Sequence, residues 1–104
     1  MIKLPAQGFH WDRGNIEKCG RHGLKIEDIE EFFRGEIQVL ADRAHSLSEE
    51  RFIAVGRGPQ RRAMFVGFTY RECEGALLIR PISARYMHKR EAIRYGQAAS
   101  QIKQ

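Results

Sequence analysis

Cysteine is scarce in this chain: Cys19 and Cys73 are the whole supply in 104 residues. Two thiols cannot build a disulfide framework, so a reduced, cytoplasmic setting is the default expectation. They also cannot close a zinc site. Cys19 and His22 have ligand-like spacing, but structural zinc takes four ligands, usually in two close pairs, and Cys73 stands alone. No apolar run approaches transmembrane length, and no secretory h-region is evident. A glycine-rich Walker loop is missing as well, which argues against P-loop nucleotide chemistry. No repeat, linker or low-complexity tract divides the sequence, so residues 1–104 read as a single domain.

Acidic residues are scarce in one half only. Residues 1–50 hold seven Lys/Arg against ten Asp/Glu, a net of −3, whereas residues 51–104 hold eleven against three, a net of +8. The overall +5 and pI near 9.6 therefore belong to the C-terminal half and favour a polyanionic partner there. With 42% hydrophobic and 30% charged residues, the chain has the makings of an ordinary small core rather than of a disordered tail.

The hydrophobic period places the elements. Phe9-His10-Trp11 reads as a short edge strand. Asp12 is positioned to N-cap a helix running to about Arg21, with Gly20 and Gly23 as stop signals. Ile26, Ile29, Phe32 and Phe33 recur at helical spacing, and Gly35 ends that second helix. Alternation then predicts strands over 37–41, 51–55, 63–71 and 76–84, with a polar loop over 42–50 and a Gly-Pro break after 56. Short connections favour an antiparallel meander. Residues 88–102 read as a closing helix. The expectation is an α+β fold, two N-terminal helices and a C-terminal helix packed on a four-stranded antiparallel sheet.

Strand-borne arginines are the chemical feature. Arg71 shares a face with Thr69 and Gly67, the face expected to be wet, while Val66, Phe68 and Tyr70 point the other way. Period-2 geometry puts Arg80 and Arg85 on opposite faces unless a bulge intervenes near Pro81. A guanidinium on a rigid strand can hold a phosphate with a bidentate fork, although a single exposed strand arginine also serves simply to solubilise an edge. Lys18, Arg21 and His22 close the first helix, where basic groups complement the helix dipole. His22 is the best-placed proton-transfer group, ahead of His10, His45 and His88. Trp11, Phe9 and Tyr70 are able to stack on bases or to fill the core.

The ordered set Phe9-His10-Trp11-Asp12, Lys18, Arg21-His22-Gly23, Asp42, His45-Ser46, Glu49-Glu50-Arg51, Gly56, Thr69-x-Arg71 and Ile79-Arg80-x-Ile82-Ser83-Ala84-Arg85 closely resembles the BrnT family. These are ribonuclease toxins of type II toxin–antitoxin pairs. The resemblance runs from about Phe9 to Tyr95, with Pro81 replacing the family's usual apolar residue. It implies a RelE-like fold, metal-independent RNA cleavage with no cofactor, and a BrnA-like ribbon-helix-helix antitoxin as partner. DNA contact would come only through that antitoxin. Carried over by position, the implied site residues are Trp11, Asp12, Lys18, His22, Arg51, Arg71, Arg80, Ser83 and Arg85. Arg71 and Arg85 would stabilise the charged phosphorane, and His22, oriented by Asp12, would move protons. Lys18, Arg51, Arg80, Ser83 and Trp11 would bind RNA. On that reading, loss of Arg71 or of Arg85 abolishes cleavage. The competing class is a non-catalytic RNA-binding module, or a co-repressor acting through a DNA-binding partner.

Overall fold

A computed structural model describes residues 6–45 and 48–102, with 96–102 described by backbone alone. The order of elements is β1 (Gly8–Phe9), α1 (Arg13–Gly20), α2 (Ile26–Arg34), β2 (Ile37–Ala41), β3 (Phe52–Arg57), β4 (Ala63–Cys73), β5 (Ala76–Tyr86) and α3 (Lys89–Ile102), with short 3₁₀ turns at Arg43–His45 and Pro59–Arg61.

Asp12 caps α1 as its sequence position predicts. Its carboxylate accepts from the Asn15 backbone N–H at 3.2 Å, and the Asn15 Oδ1 accepts from the Asp12 N–H at 2.7 Å. Two otherwise orphaned donors are thereby satisfied reciprocally. In α2 the spacing of Ile29, Phe32 and Phe33 puts all three on one buried stripe. Asp28 reaches back to the Lys25 N–H at 3.0 Å and fixes the start of that helix.

The sheet is five-stranded and mixed, in the order β1-β5-β4-β3-β2. The antiparallel meander over β2 to β5 is as expected, but β1 adds a fifth strand parallel to β5. Backbone bonds from Gln7 N–H to Leu77 O and from His10 N–H to Ile79 O, both 2.8 Å, seat it. Between β4 and β5, Glu74 (φ 51°) and Gly75 (φ 81°) make a two-residue turn with both φ positive, matching the twist of the hairpin it joins.

One face of the sheet is the core. Met64, Val66 and Phe68 of β4, Ala54 of β3 and Ile79 and Ala84 of β5 pack with Leu24 and the α2 stripe. Phe68, fully buried, meets Phe33 edge-on at 5.2 Å and Phe52 in a stacked arrangement at 5.5 Å. Each such ring contributes roughly 1.5–3 kcal/mol through burial. Close approach is needed at Gly56, where a Cβ would lie 2.9 Å from the Glu36 carbonyl oxygen.

The helices do not all share that face. α2 covers it, and α1 lies along the β5 edge, where Asn15 Nδ2 donates to the Pro81 carbonyl at 2.8 Å and to the His10 carbonyl at 3.0 Å. α3 instead begins beside the opposite face, tied by Glu91 to Arg85, and its Ile93 is 53% exposed. The expected C-terminal helix is therefore present but joins a different layer. No helix among the described residues is long and apolar enough to cross a membrane.

Candidate functional site

The face opposite the core carries the arginines. Pairing of Gly67 with Ser83, and of Phe68 with Pro81, leaves Ile82 as an extra residue in β5. This bulge changes the parity of the strand. Arg80 lies opposite Thr69 and Arg85 opposite Phe65, four residues apart on β4, so both arginines share the open face. Arg71 joins them there. The face expected to be wet is thus the arginine face, and the bulge sits where Pro81 suggested one.

The cations fall into two groups. The first lines a shallow pocket of about 180 Å³ between the end of α1 and the far end of β5, formed by Lys18, Arg21, His22, Phe65, Ser83, Ala84 and Arg85. Arg85 is held from three sides. Its Nη1 and Nη2 donate to the two Glu91 carboxylate oxygens, each at 2.8 Å, Nη1 also donates to the Tyr86 carbonyl at 3.3 Å, and the guanidinium lies 4.0 Å from the centre of the Phe65 ring. The Arg85 partnership, reinforced by the His88 N–H, pulls the Glu91 carboxyl down to about 2. Among the described residues nothing takes the Arg85 Nε–H or the second Nη2 hydrogen, so part of its fork remains for a ligand.

The second group is at the other end of the face. Arg80 donates to both Asp12 oxygens, at 2.9 and 3.3 Å, and to His10 Nδ1 at 3.0 Å. A guanidinium only donates, so Nδ1 of His10 is the acceptor. Arg80 lowers the Asp12 carboxyl below its usual range, helped by the Asn15 N–H. Arg71 and Arg51 both approach Glu49, at 3.6 and 3.7 Å. Thr69, buried on this face, donates to the Glu50 carbonyl at 2.6 Å and pins the loop that carries Glu49.

The structure therefore separates residues that the sequence grouped together. Arg71 lies six positions along β4 from Phe65, which is beside Arg85, about 20 Å on an extended strand. Asp12 and His22 flank opposite ends of the eight-residue α1, which alone is about 12 Å long. Asp12 consequently does not orient His22; it is engaged with Arg80. Trp11 donates from Nε1 to Glu30 at 2.9 Å and packs against the core, so its ring is committed to the helix side. Lys18, His22, Ser83 and Arg85 do come together. Ser46 lies outside the described residues.

Sequence reasoning missed Asn15, Glu91 and Glu49, and gave Arg21 no role beyond the helix dipole. The i,i+6 step from Arg85 to Glu91 crosses from a strand to a helix and follows no single period. An Asn three residues after the Asp12 cap was a legible capping signal, but its second bond, 66 residues away, was not. Cys19 is buried in the core, and that burial pushes its thiol up to about 11, so it remains protonated and inert at neutral pH. No three His, Cys, Asp or Glu side chains converge as a metal site among the described residues.

Comparison with curated proteins and with solved structures returns no match. The sequence model of a family described as the ribonuclease toxin, BrnT, of type II toxin-antitoxin system matches residues 11–91. That span contains α1, the meander, the bulge, the pocket residues and Glu91. The chain belongs to the BrnT family of ribonuclease toxins.

Proposed function

We propose that this chain is a metal-independent endoribonuclease whose reaction takes place in the pocket between α1 and the Arg85 end of β5. The observation that carries this reading is the convergence there of an imidazole, a hydroxyl and three cationic side chains. RNA supplies its own nucleophile. The 2′-hydroxyl attacks the adjacent phosphorus, the bond to the 5′ oxygen breaks, and the products are a 2′,3′-cyclic phosphate and a free 5′-hydroxyl. One proton must leave the nucleophile and one must reach the departing oxygen. His22 is exposed at the pocket rim, where its imidazole would serve as the proton-transfer group. Arg85, pre-positioned by Glu91 and Phe65, would stabilise the additional negative charge of the phosphorane, usually the largest single contribution. Lys18 and Arg21 would hold the phosphate, and Ser83 would donate to a non-bridging oxygen.

Donor chemistry supports the metal-free form. Mg²⁺ and its relatives are held by oxygen ligands, chiefly carboxylates, and among the described residues the pocket lining contains no carboxylate. Arg51, Arg71 and Arg80 lie too far away for the reacting phosphate and would serve its neighbours. A ribbon-helix-helix antitoxin that covers this face would silence the enzyme by occlusion. Incubating purified chain with RNA, with and without chelator, tests the proposal. Cleavage unchanged by chelator and leaving cyclic phosphate ends is expected. Activity that disappears in chelator and returns with a divalent ion would overturn the metal-free mechanism.

A further inference from the structure

Beyond the pocket, the β3–β4 connection forms a second cationic surface. Gln60 and Arg61, neither of them glycine, both adopt left-handed backbone, with φ of 56° and 58°. Such conformations are costly for ordinary side chains and persist where the surroundings enforce them. Here the enforcement comes from bonds of Gly58 N–H to Arg62 O at 2.9 Å and of Arg61 N–H to Gly58 O at 3.0 Å, and from the absence of a side chain at Gly58, where a Cβ would collide with Met64. The result is a tight turn displaying three exposed arginines, Arg57, Arg61 and Arg62. The Arg62 guanidinium carbon lies 3.7 Å from the centre of the Tyr86 ring, a cation–π contact that holds this arginine against the end of β5. A backbone bond from Met87 N–H to Ala63 O brings the start of α3 alongside, and with it exposed Lys89 and Arg90.

Two features set this cluster apart. Ion pairs among the described residues take their cations from Arg34, His45, Arg51, Arg71, Arg80 and Arg85, and none involves the five cations gathered here. Lys89 and Arg90 also occupy the first turn of α3, where the helix dipole repels positive charge. Both arrangements work against stability, so a polyanion that neutralises them gains what the fold forgoes.

We propose that the β3–β4 turn and the first turn of α3 form a track for the phosphates of single-stranded RNA flanking the cleaved bond. This rests on the pocket being the cleavage site. Arg57 pairs with Ala63, two residues before Phe65 on β4 and on the same face, about 7 Å along the strand. This arginine therefore adjoins the Arg85 pocket, and Arg62, over Tyr86, carries the track round the end of the sheet. Protein-binding hot spots lie in well-packed, desolvated pockets, whereas all five track cations are exposed. Phosphate binding needs only the charges.

The test uses the full chain and a single-stranded RNA of about 12 nucleotides, made uncleavable by 2′-O-methylation, together with a fragment of about three. Affinity is measured across a salt series for the parent, for Arg57→Gln/Arg61→Gln/Arg62→Gln and for Lys89→Gln/Arg90→Gln. The second variant alters only exposed side chains at a helix start, so it reads the track even if the turn variant folds poorly. The longer RNA should bind each variant at least about tenfold more weakly, with a salt slope lower by roughly 0.7 for every phosphate no longer neutralised. The short fragment should bind all three proteins alike. Parental affinity and slope for the longer RNA in the Lys89/Arg90 variant would overturn the proposal. So would a variant that keeps RNA but loses the antitoxin, which would assign the surface to a protein. Failure of the pocket reading looks different: Arg85→Ala would then cleave like the parent, whatever the turn variants do.

Discussion

At the scale of single residues, distance decides which arginine can act on the reacting phosphate. Arg71 sits about 20 Å along β4 from the position beside Arg85, so the two cannot share one phosphorane. Arg85→Ala should lower kcat by about 10²–10³, the usual cost of a positioned donor for developing charge. Arg71→Ala should instead leave kcat near the parent value, raise KM and reduce the salt slope by roughly 0.7. Steady-state kinetics on the two purified variants separates these outcomes, and equal kcat losses would place the chemistry elsewhere on the face. Arg80, with a side chain only 16% exposed against 42% for Arg71, has the more structural part, bracing Asp12 at the cap of α1. Glu91 adds a pH dependence whose sign follows from its shift. Its carboxyl falls from an ordinary 4.5 to about 2 because Arg85 holds the charged form. The pair's contribution to stability is thus complete above pH 4.5 and is lost as pH falls toward 2. Parent and Glu91→Gln melting curves should differ by a constant amount from neutral pH down to 4.5 and converge below it. A difference that persists at pH 2 would mean that Glu91 stabilises the fold by something other than its charge.

At the scale of elements, the polar side chain of Asn15 ties α1 to β5 beside the pocket. Its Nδ2 satisfies two carbonyls, one on β5 and one after β1, while its Oδ1 completes the α1 cap. Asn15→Ala would leave these groups buried without partners, at a cost of about 1–3 kcal/mol. It should also loosen α1, which carries Lys18, Arg21 and His22, so kcat/KM should fall further than the stability loss alone accounts for. Melting curves and kinetics on one preparation check both, and full activity at the parental Tm would refute the assignment. Gly56→Ala should cost about 1–3 kcal/mol for a different reason, the clash of its Cβ with the Glu36 carbonyl. Much of this layer was legible in the sequence. Period-2 alternation picked out β2 to β5 and the core side of β4, and the apolar stripe picked out α2, because these signals are local. The β1 strand was recognisable as an edge, but its parallel pairing was not, since two residues carry no register and their partner lies 70 positions away. The placement of α3 failed for a related reason. Its composition predicts a helix, whereas the layer it joins depends on one carboxylate meeting Arg85.

At the scale of the whole molecule, charge partition is the dominant property. The acidic half does not simply repel the partner that the basic half attracts. Asp12 and Glu49, both from residues 1–50, reach across to Arg80, Arg71 and Arg51, so internal pairing consumes part of the basic excess at one end of the sheet. Positive charge is left concentrated at the other end, around the pocket and the β3–β4 turn. The sequence revealed the excess but not this polarity, because pairing is decided by which strand ends meet. An antitoxin that occludes the pocket must approach that end, and opposite charge would speed the encounter. Its association rate should therefore fall steeply as salt rises beyond physiological strength, where the Debye length drops below about 8 Å. Dissociation should change much less. Excess antitoxin should also displace the uncleavable RNA competitively, since both need the same cations. Stopped-flow association across a salt series, with the RNA as competitor, measures both effects. A rate indifferent to salt, or inhibition that leaves RNA bound, would place the antitoxin on an apolar surface away from the pocket, for which exposed Ile16 and Ile93 are the available anchors among the described residues.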